Sequence, residues 1–221
     1  MEDGIILIDK PAGLTSFGVV ARLRRVLSQQ AGRKLKVGHT GTLDPFATGL
    51  MILCVGKECK NAGLYTKHDK VYQAVVKLGS SSTTGDPEGE ITATNIDIAP
   101  PSRQEVEAAI AKFRGQIWQR PPIFSAIKIN GQRAYKLARD GAEVEIPLRQ
   151  VSIYSLEIVS YDYPNLTIKT HVSSGTYIRS LAVDIGEKLG TGAYCQQLRR
   201  LKVANYDVAE AQTLADYGIT S

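Results

Sequence analysis

The sequence predicts an α+β fold, a mainly antiparallel mixed sheet flanked by helices. Three observations point there. Residues 50–55 and 71–78 are apolar or alternating runs of strand type, as are 151–161 and 166–172. Segments with helical spacing lie between them, near residues 16–29, 102–114 and 177–189. The two kinds do not alternate in the regular βαβ order that a parallel sheet requires.

Taken in order, residues 4–8 read as a short buried strand leading into a Lys10-Pro11 turn. Over 16–29, Val19, Val20, Leu23, Val26 and Leu27 keep helical spacing, with Thr15 or Ser16 placed to cap the start. Arg22, Arg24 and Arg25 occupy the other face, and Arg33, Lys34 and Lys36 follow. Residues 80–90 read as a polar loop. Ser102 and Glu105 have capping-box spacing for a helix that stops near Gly115. Pro121-Pro122 enters a short strand, Asn130-Gly131 reads as a turn, and 133–139 as a short basic helix. A hairpin is expected around Pro164-Asn165, and Gly190 and Gly192 end the last helix. No internal repeat, low-complexity tract or linker divides the 221 residues, so a single domain is expected.

Composition is ordinary for a folded globular chain, 43% hydrophobic and 22% charged. A net charge of +5 and a pI near 9.0 suit a polyanionic partner. No apolar run approaches the ~20 residues that span a bilayer, and the N-terminus lacks the pattern of a signal peptide. Cys54, Cys59 and Cys195 are odd in number with no C-x-x-C spacing, which fits a reducing cytoplasm without disulfides or a zinc site.

The run Gly38-His39-Thr40-Gly41-Thr42-Leu43-Asp44-Pro45-Phe46-Ala47-Thr48-Gly49-Leu50 carries one carboxylate, with no other charge from Gly38 to Val55. A residue before proline is pushed out of helical geometry. Gly38, Gly41 and Gly49 permit positive φ or the close approach of another backbone. The pattern describes a shaped loop that presents a lone acid and is backed by a buried strand. A tight turn whose aspartate bonds its own backbone is the plainer alternative.

This run resembles the catalytic motif of the TruB family of tRNA pseudouridine synthases, and three further segments match in the family's order. Asp9-Lys10-Pro11-Ala12-Gly13-Leu14-Thr15-Ser16 is similar to its N-terminal motif. Lys70-Val71-Tyr72, with Leu78-Gly79 and the Gly85-Asp86-Pro87-Glu88-Gly89 turn, is similar to its tyrosine motif. Ser174-Gly175-Thr176-Tyr177-Ile178-Arg179-Ser180-Leu181 and Leu198-Arg199-Arg200-Leu201 are similar to its arginine motif and C-terminal signature. Phe46 departs from the usual leucine, and Asn205-Tyr206 stands where glycine often precedes an aromatic residue.

The resemblance implies a pseudouridine synthase fold and isomerisation of uridine-55 in the tRNA T-loop. It implies Asp44 as nucleophile, Arg179 as its charge partner, and Tyr72 against the target base. His39 would fill the stack left by a flipped base. Asp86 would help organise the site, and Lys10, Tyr177 and Leu198 would contact substrate. An insertion at about 120–141 would clamp RNA through Arg120, Lys128, Arg133, Lys136 and Arg139, with Phe124 and Tyr135 between them. The reaction is redox-neutral and hydrolyses nothing, so neither metal nor organic cofactor is expected. The partner implied is the tRNA T-arm, met by a monomer with no obligatory protein partner and no membrane. Many family members add a C-terminal PUA-type RNA-binding domain, and the lack of an evident one here is a departure from that pattern. Two rival readings are a guide-dependent pseudouridylase of the dyskerin-like branch and a non-catalytic tRNA-folding chaperone. Phosphate-loop, nucleophile-elbow and His-Glu-x-x-His patterns do not occur.

Overall fold

A computed structural model describes residues 3–94, 99–123, 125, 128–129, 132–133 and 146–220, with only the backbone described at 128–129 and 132–133. In chain order the elements are β1 (Gly4–Lys10), α1 (Ser16–Gln30), β2 (Val37–His39), β3 (Thr48–Val55), α2 (Ala62–Thr66) and β4 (Lys70–Leu78). Then come β5 (Ser80–Ser82), β6 (Ile91–Ala93), α3 (Arg103–Ala111), β7 (Gly115–Gln119), β8 (Lys128–Ile129) and β9 (Gln132–Arg133). β10 (Arg149–Asp162), β11 (Asn165–Val172), α4 (Ile178–Leu189), β12 (Ala193–Val203) and β13 (Tyr206–Asp207) complete the set.

Contacts group the chain into two compact units, Met1–Gln73 with Leu198–Ser221, and Ala74–Gln197. The first holds a mixed sheet centred on β3. β1 pairs with β3 antiparallel from Gly4↔Val55 to Lys10↔Gly49, and β2 pairs antiparallel from Val37↔Val55 to His39↔Leu53. β12 joins β3 in parallel, with Arg199 opposite Thr48 and Arg200 opposite Gly49. β3 is buried on both faces from Gly49 to Val55, which is why its sequence is a continuous apolar run. Each fully buried Leu or Ile there contributes about 1.5–3 kcal/mol. Leu50, Ile52 and Val203 form one cluster, covered by Ile5, Leu7, Tyr65 and Tyr206. Gly49 has φ +103°, and a Cβ there would overlap the Arg200 backbone. The close approach expected at this glycine is present.

The helix expected at 16–29 is α1, which buries Ser16, Val19, Val20, Leu23 and Leu27. Thr15 supplies the cap, its hydroxyl accepting from the Gly18 N–H at 2.9 Å. Ser16 is used elsewhere, as described below.

In the second unit β7, β10 and β11 form an antiparallel sheet, with Gln119 opposite Arg149 and Ile153 opposite Val172. The hairpin expected around Pro164-Asn165 is β10–β11. α3 carries the expected capping box between Ser102 and Glu105. One expectation is corrected: the stretch read as a polar loop at 80–90 opens in strand β5, which pairs with β6 from Ser80↔Ala93 to Ser82↔Ile91. Both strands are short, and β6 is fully exposed, so no apolar alternation marks them. Residues 130–131 and 134–141 lie outside the described residues, and with them the turn and basic helix expected there.

Candidate active site

The Asp44 loop is fixed from three directions, all within the first unit. From β1, the Lys10 ammonium is wholly buried and donates to the carbonyls of Pro11 at 2.8 Å, Leu14 at 2.7 Å and Pro45 at 3.1 Å. The Pro45 carbonyl also accepts the Gly13 N–H at 2.9 Å. From α1, the Ser16 hydroxyl donates to the Leu43 carbonyl at 2.8 Å and accepts the Leu43 N–H at 2.7 Å. From β12, the Arg200 guanidinium donates to Leu50 O at 2.7 Å, Gly41 O at 3.2 Å and Thr42 O at 3.5 Å. Asp44 therefore sits between two backbone clamps, at Leu43 and Pro45, and its own carbonyl accepts the Ala47 N–H at 3.1 Å. Hydrogen bonds from charged donors are the stronger kind, and here they grip the backbone on either side of the acid.

The sequence placed Lys10 among substrate contacts, and the structure buries it beneath the Asp44 loop. At 0% exposure its side chain is buried, and its ammonium donates to the carbonyls of Pro11, Leu14 and Pro45. Ser16 and Arg200 were not singled out as site residues. Ser16 was read only as a possible cap, and Arg200 only as part of a signature. Strand alternation was the available signal for Arg200, since Leu198 and Arg200 lie on one face of β12 and Arg199 on the other. Arg199 pairs with Asp9 in bidentate fashion, at 2.7 and 3.0 Å.

Tyr72 is buried on β4, on the strand face of Lys70 and Ala74. His39 is half-buried at the end of β2, and Leu198 is buried on β12. Lys70 is a second buried cation, bonded to the carbonyls of Thr66 and His68. Burial and the Arg200 charge lower its pKa from the usual lysine value to about 8, against a smaller opposing effect of Asp69.

The second unit holds Arg179, Asp86, Tyr177 and Arg120. Arg179, in the first turn of α4, meets Asp86 in an ion pair at 2.9 Å, both side chains 4% exposed. The same Nη1 donates to Thr84 O at 3.0 Å. Asp86 spends its other oxygen on its own turn, accepting the Glu88 N–H at 3.0 Å and the Thr84 hydroxyl at 2.5 Å. It is thus both a turn-former and the carboxylate that neutralises Arg179. The start of α4 is pinned by Gln119, 1% exposed, whose side-chain amide pairs with both backbone groups of Tyr177 at 2.8 and 3.0 Å. Arg120 donates to Ile146 O at 2.7 Å, and its carbonyl accepts from Ser180. Gln119 was not anticipated; a glutamine in a strand gives no sign of pairing with a distant backbone. The side chains of Lys128 and Arg133, and Phe124, Tyr135, Lys136 and Arg139 altogether, lie outside the described residues.

Comparison with known proteins bears on the same segments. Residues 24–178 match the model of the TruB family pseudouridylate synthase N-terminal domain, and residues 179–217 that of the tRNA pseudouridylate synthase B C-terminal domain. The chain is 44% identical to tRNA pseudouridine synthase B of Corynebacterium jeikeium (strain K411), covering 96% of this chain and 70% of that protein. It is 42% identical to the protein of the same name from Azoarcus sp. (strain BH72), covering 96% and 68%. Among solved structures, a chain of a Cbf5-Nop10-Gar1 complex superposes with a TM-score of 0.74 at 28% identity. That match covers 96% of this chain but only 53% of the other, about half its length. No helix among the described residues is long and apolar enough to cross a membrane. The family and the pseudouridine synthase fold expected from the sequence are borne out, and this chain belongs to the TruB family of pseudouridylate synthases.

Proposed function

We propose that this chain isomerises uridine to pseudouridine in tRNA, at position 55 of the T-loop, with Asp44 as the nucleophile. It acts as a cytoplasmic monomer on the T-arm and needs no obligatory protein partner. The observation that carries this reading is the doubly clamped Asp44 loop. The residues flanking the acid are fixed by Ser16 at Leu43 and by Lys10 and Gly13 at Pro45, which holds a reacting group in place before substrate arrives.

The Asp44 carboxylate adds covalently to the substrate nucleoside and splits one difficult exchange into two easier ones. The bond between N1 and the ribose breaks, and the base turns while still held. C5 then bonds to the same ribose carbon and gives up its proton, while N1 regains one. Atoms and electrons balance with no hydrolysis and no redox change. Tyr72 lies against the base and takes part in removal of the C5 proton. Arg179 favours the ionised state of Asp44, and Asp86 holds Arg179 in place. His39 occupies the stack vacated by the flipped base. Leu198 and Tyr177 line the base site, while Arg120, Lys128 and Arg133 contact phosphates.

The test is incubation with an unmodified T-arm RNA carrying tritium at C5 of uridine, beside Asp44→Asn. Tritium release by the unaltered protein alone, with T-arm binding kept within a few-fold in the variant, is the expected result. Release by both would remove Asp44 from the chemistry. Binding without release by either would leave an RNA-binding role and sink the isomerase.

A further inference from the structure

We infer that the outward face of α1 is a docking strip for the sugar–phosphate backbone of the RNA, with Arg22 and Arg25 as its phosphate contacts and Phe17 as an apolar contact at the N-terminal end of the same helix. This rests on the reading of the chain as an RNA-modifying enzyme and adds a contact surface to it. At 100° per residue, Ser16, Val19, Val20, Leu23 and Leu27 share the buried side of the helix. Gly18, Arg22, Arg25 and Gln29 then fall within a narrow stripe on the opposite side, while Phe17 and Arg24 lie about 80–100° round the helix from it. Arg22 and Arg25 are exposed, and Phe17 is 64% exposed.

Three features separate this stripe from an ordinary solvated helix face. Solvated faces normally mix both signs of charge, and this one does not. Between Asp9 and Asp44 there is no acidic residue and there are seven Lys or Arg. Arg22 bonds only weakly to its own helix, to Gly18 O at 3.3 Å. The ion pairs described in the first unit engage Asp3, Asp9 and Asp207, and none of them reaches α1. Such a surface attracts polyanions and releases counterions on contact.

The second feature is mechanical. α1 is tied at its first residue to the nucleophile loop through the two Ser16–Leu43 bonds, so a strand held on the stripe is held in the frame of Asp44. The third is the exposed phenyl ring at the loop end of the helix, where base or ribose contact suits an aromatic side chain. A membrane surface is the other polyanion that basic helices meet. It would need the apolar face of α1, which the core already covers.

The test compares the full chain with Arg22→Gln/Arg25→Gln, glutamine being a comparable helix former, and with Arg22→Lys/Arg25→Lys, which keeps the charge. T-arm affinity is measured across a range of salt concentrations, and tritium release is followed at saturating RNA. The Gln pair is expected to weaken binding about 10-fold at low salt. It should make the slope of log affinity against log salt shallower by about 1.4–1.8, the loss of two phosphate contacts. Release at saturating RNA should be unchanged, and the Lys pair should restore most of the slope. An affinity within two-fold and an unchanged slope in the Gln pair would overturn the strip, as would an equal loss in the Lys pair. Failure of the isomerase reading appears separately, as absent tritium release by the unaltered chain, and the slope comparison decides the strip even then. An unaltered chain that does not bind the RNA overturns both.

Discussion

Buried cations are handled differently in the two units. In the first, Lys10, Lys70 and Arg200 are 0%, 8% and 2% exposed and donate to backbone carbonyl oxygens. In the second, Arg179 at 4% exposure meets the Asp86 carboxylate. A cation paired with a carboxylate is locally neutral, and the pair fixes two side chains. A cation bonded to carbonyls keeps its charge and fixes backbone instead, as Lys10 and Arg200 fix the loop around Asp44. Binding to carbonyls suits a loop whose backbone must be held; pairing with a carboxylate suits a side chain that must itself be aimed.

The comparison predicts its own sharpest break at Asp86. Replacing it by Asn takes the Asp86 carboxylate from the buried Arg179 charge, and removing one partner of such a pair costs about 3–5 kcal/mol. Urea unfolding should show this as a lower midpoint at unchanged slope. The double variant Asp86→Asn/Arg179→Met should lose less than the sum of the single losses. Additivity would mean that the ion pair is not the feature that matters.

Lys10→Met is the matching cut in the first unit. It keeps the length and apolar stem but removes the donor to Pro11, Leu14 and Pro45. Hydrogen bonds to a charged group contribute about 1.5–3 kcal/mol, so stability should fall by about 2–3 kcal/mol. Loosening the clamp at Pro45 should also lower kcat by about 10–100-fold while KM for the T-arm moves little. A rise in KM alone would return Lys10 to the substrate-contact role expected from the sequence.

Lys10 also marks how far the sequence could be read. β3 was legible because seven consecutive buried residues leave an unbroken apolar run, and Gly49 because only glycine allows the Arg200 backbone so near. α1 and the β10–β11 hairpin were legible from period and turn residues. The motif blocks picked out Asp44, Tyr72 and Arg179 as candidates. What a side chain does when strand geometry turns it inward was not legible. Lys10 follows Ile6 and Ile8 on the buried face of β1, yet its type argues for solvent, and only distant carbonyls resolve the conflict. Thr15 and Ser16 are equally good caps in sequence, and only the position of Leu43 divides their roles. β5 and β6 escaped because they pair through backbone and bury almost nothing.

Lys70 gives the smallest and most specific test of the contrast, because its pKa records how far burial outweighs the nearby carboxylate. Burial first, and the Arg200 charge second, lower it from 10.5 to about 8, with Asp69 opposing only in part. A lysine whose folded pKa lies below its unfolded value binds fewer protons in the folded state between the two. Stability from this group therefore rises with pH across about 8 to 10.5, and the cost of holding the charge is fully present below 8. Other groups titrate in the same range; Cys54, raised to about 11 mainly by burial, acts in the opposite direction. The difference between the parent and Lys70→Met removes those shared effects. Between pH 7 and 9.5 that difference should move in the parent's favour by about 2 kcal/mol, since each pKa unit is worth about 1.4 kcal/mol. A difference that stays flat would mean that the Thr66 and His68 carbonyls stabilise the ammonium as fully as a carboxylate would. The contrast between the two units would then be one of geometry and not of charge.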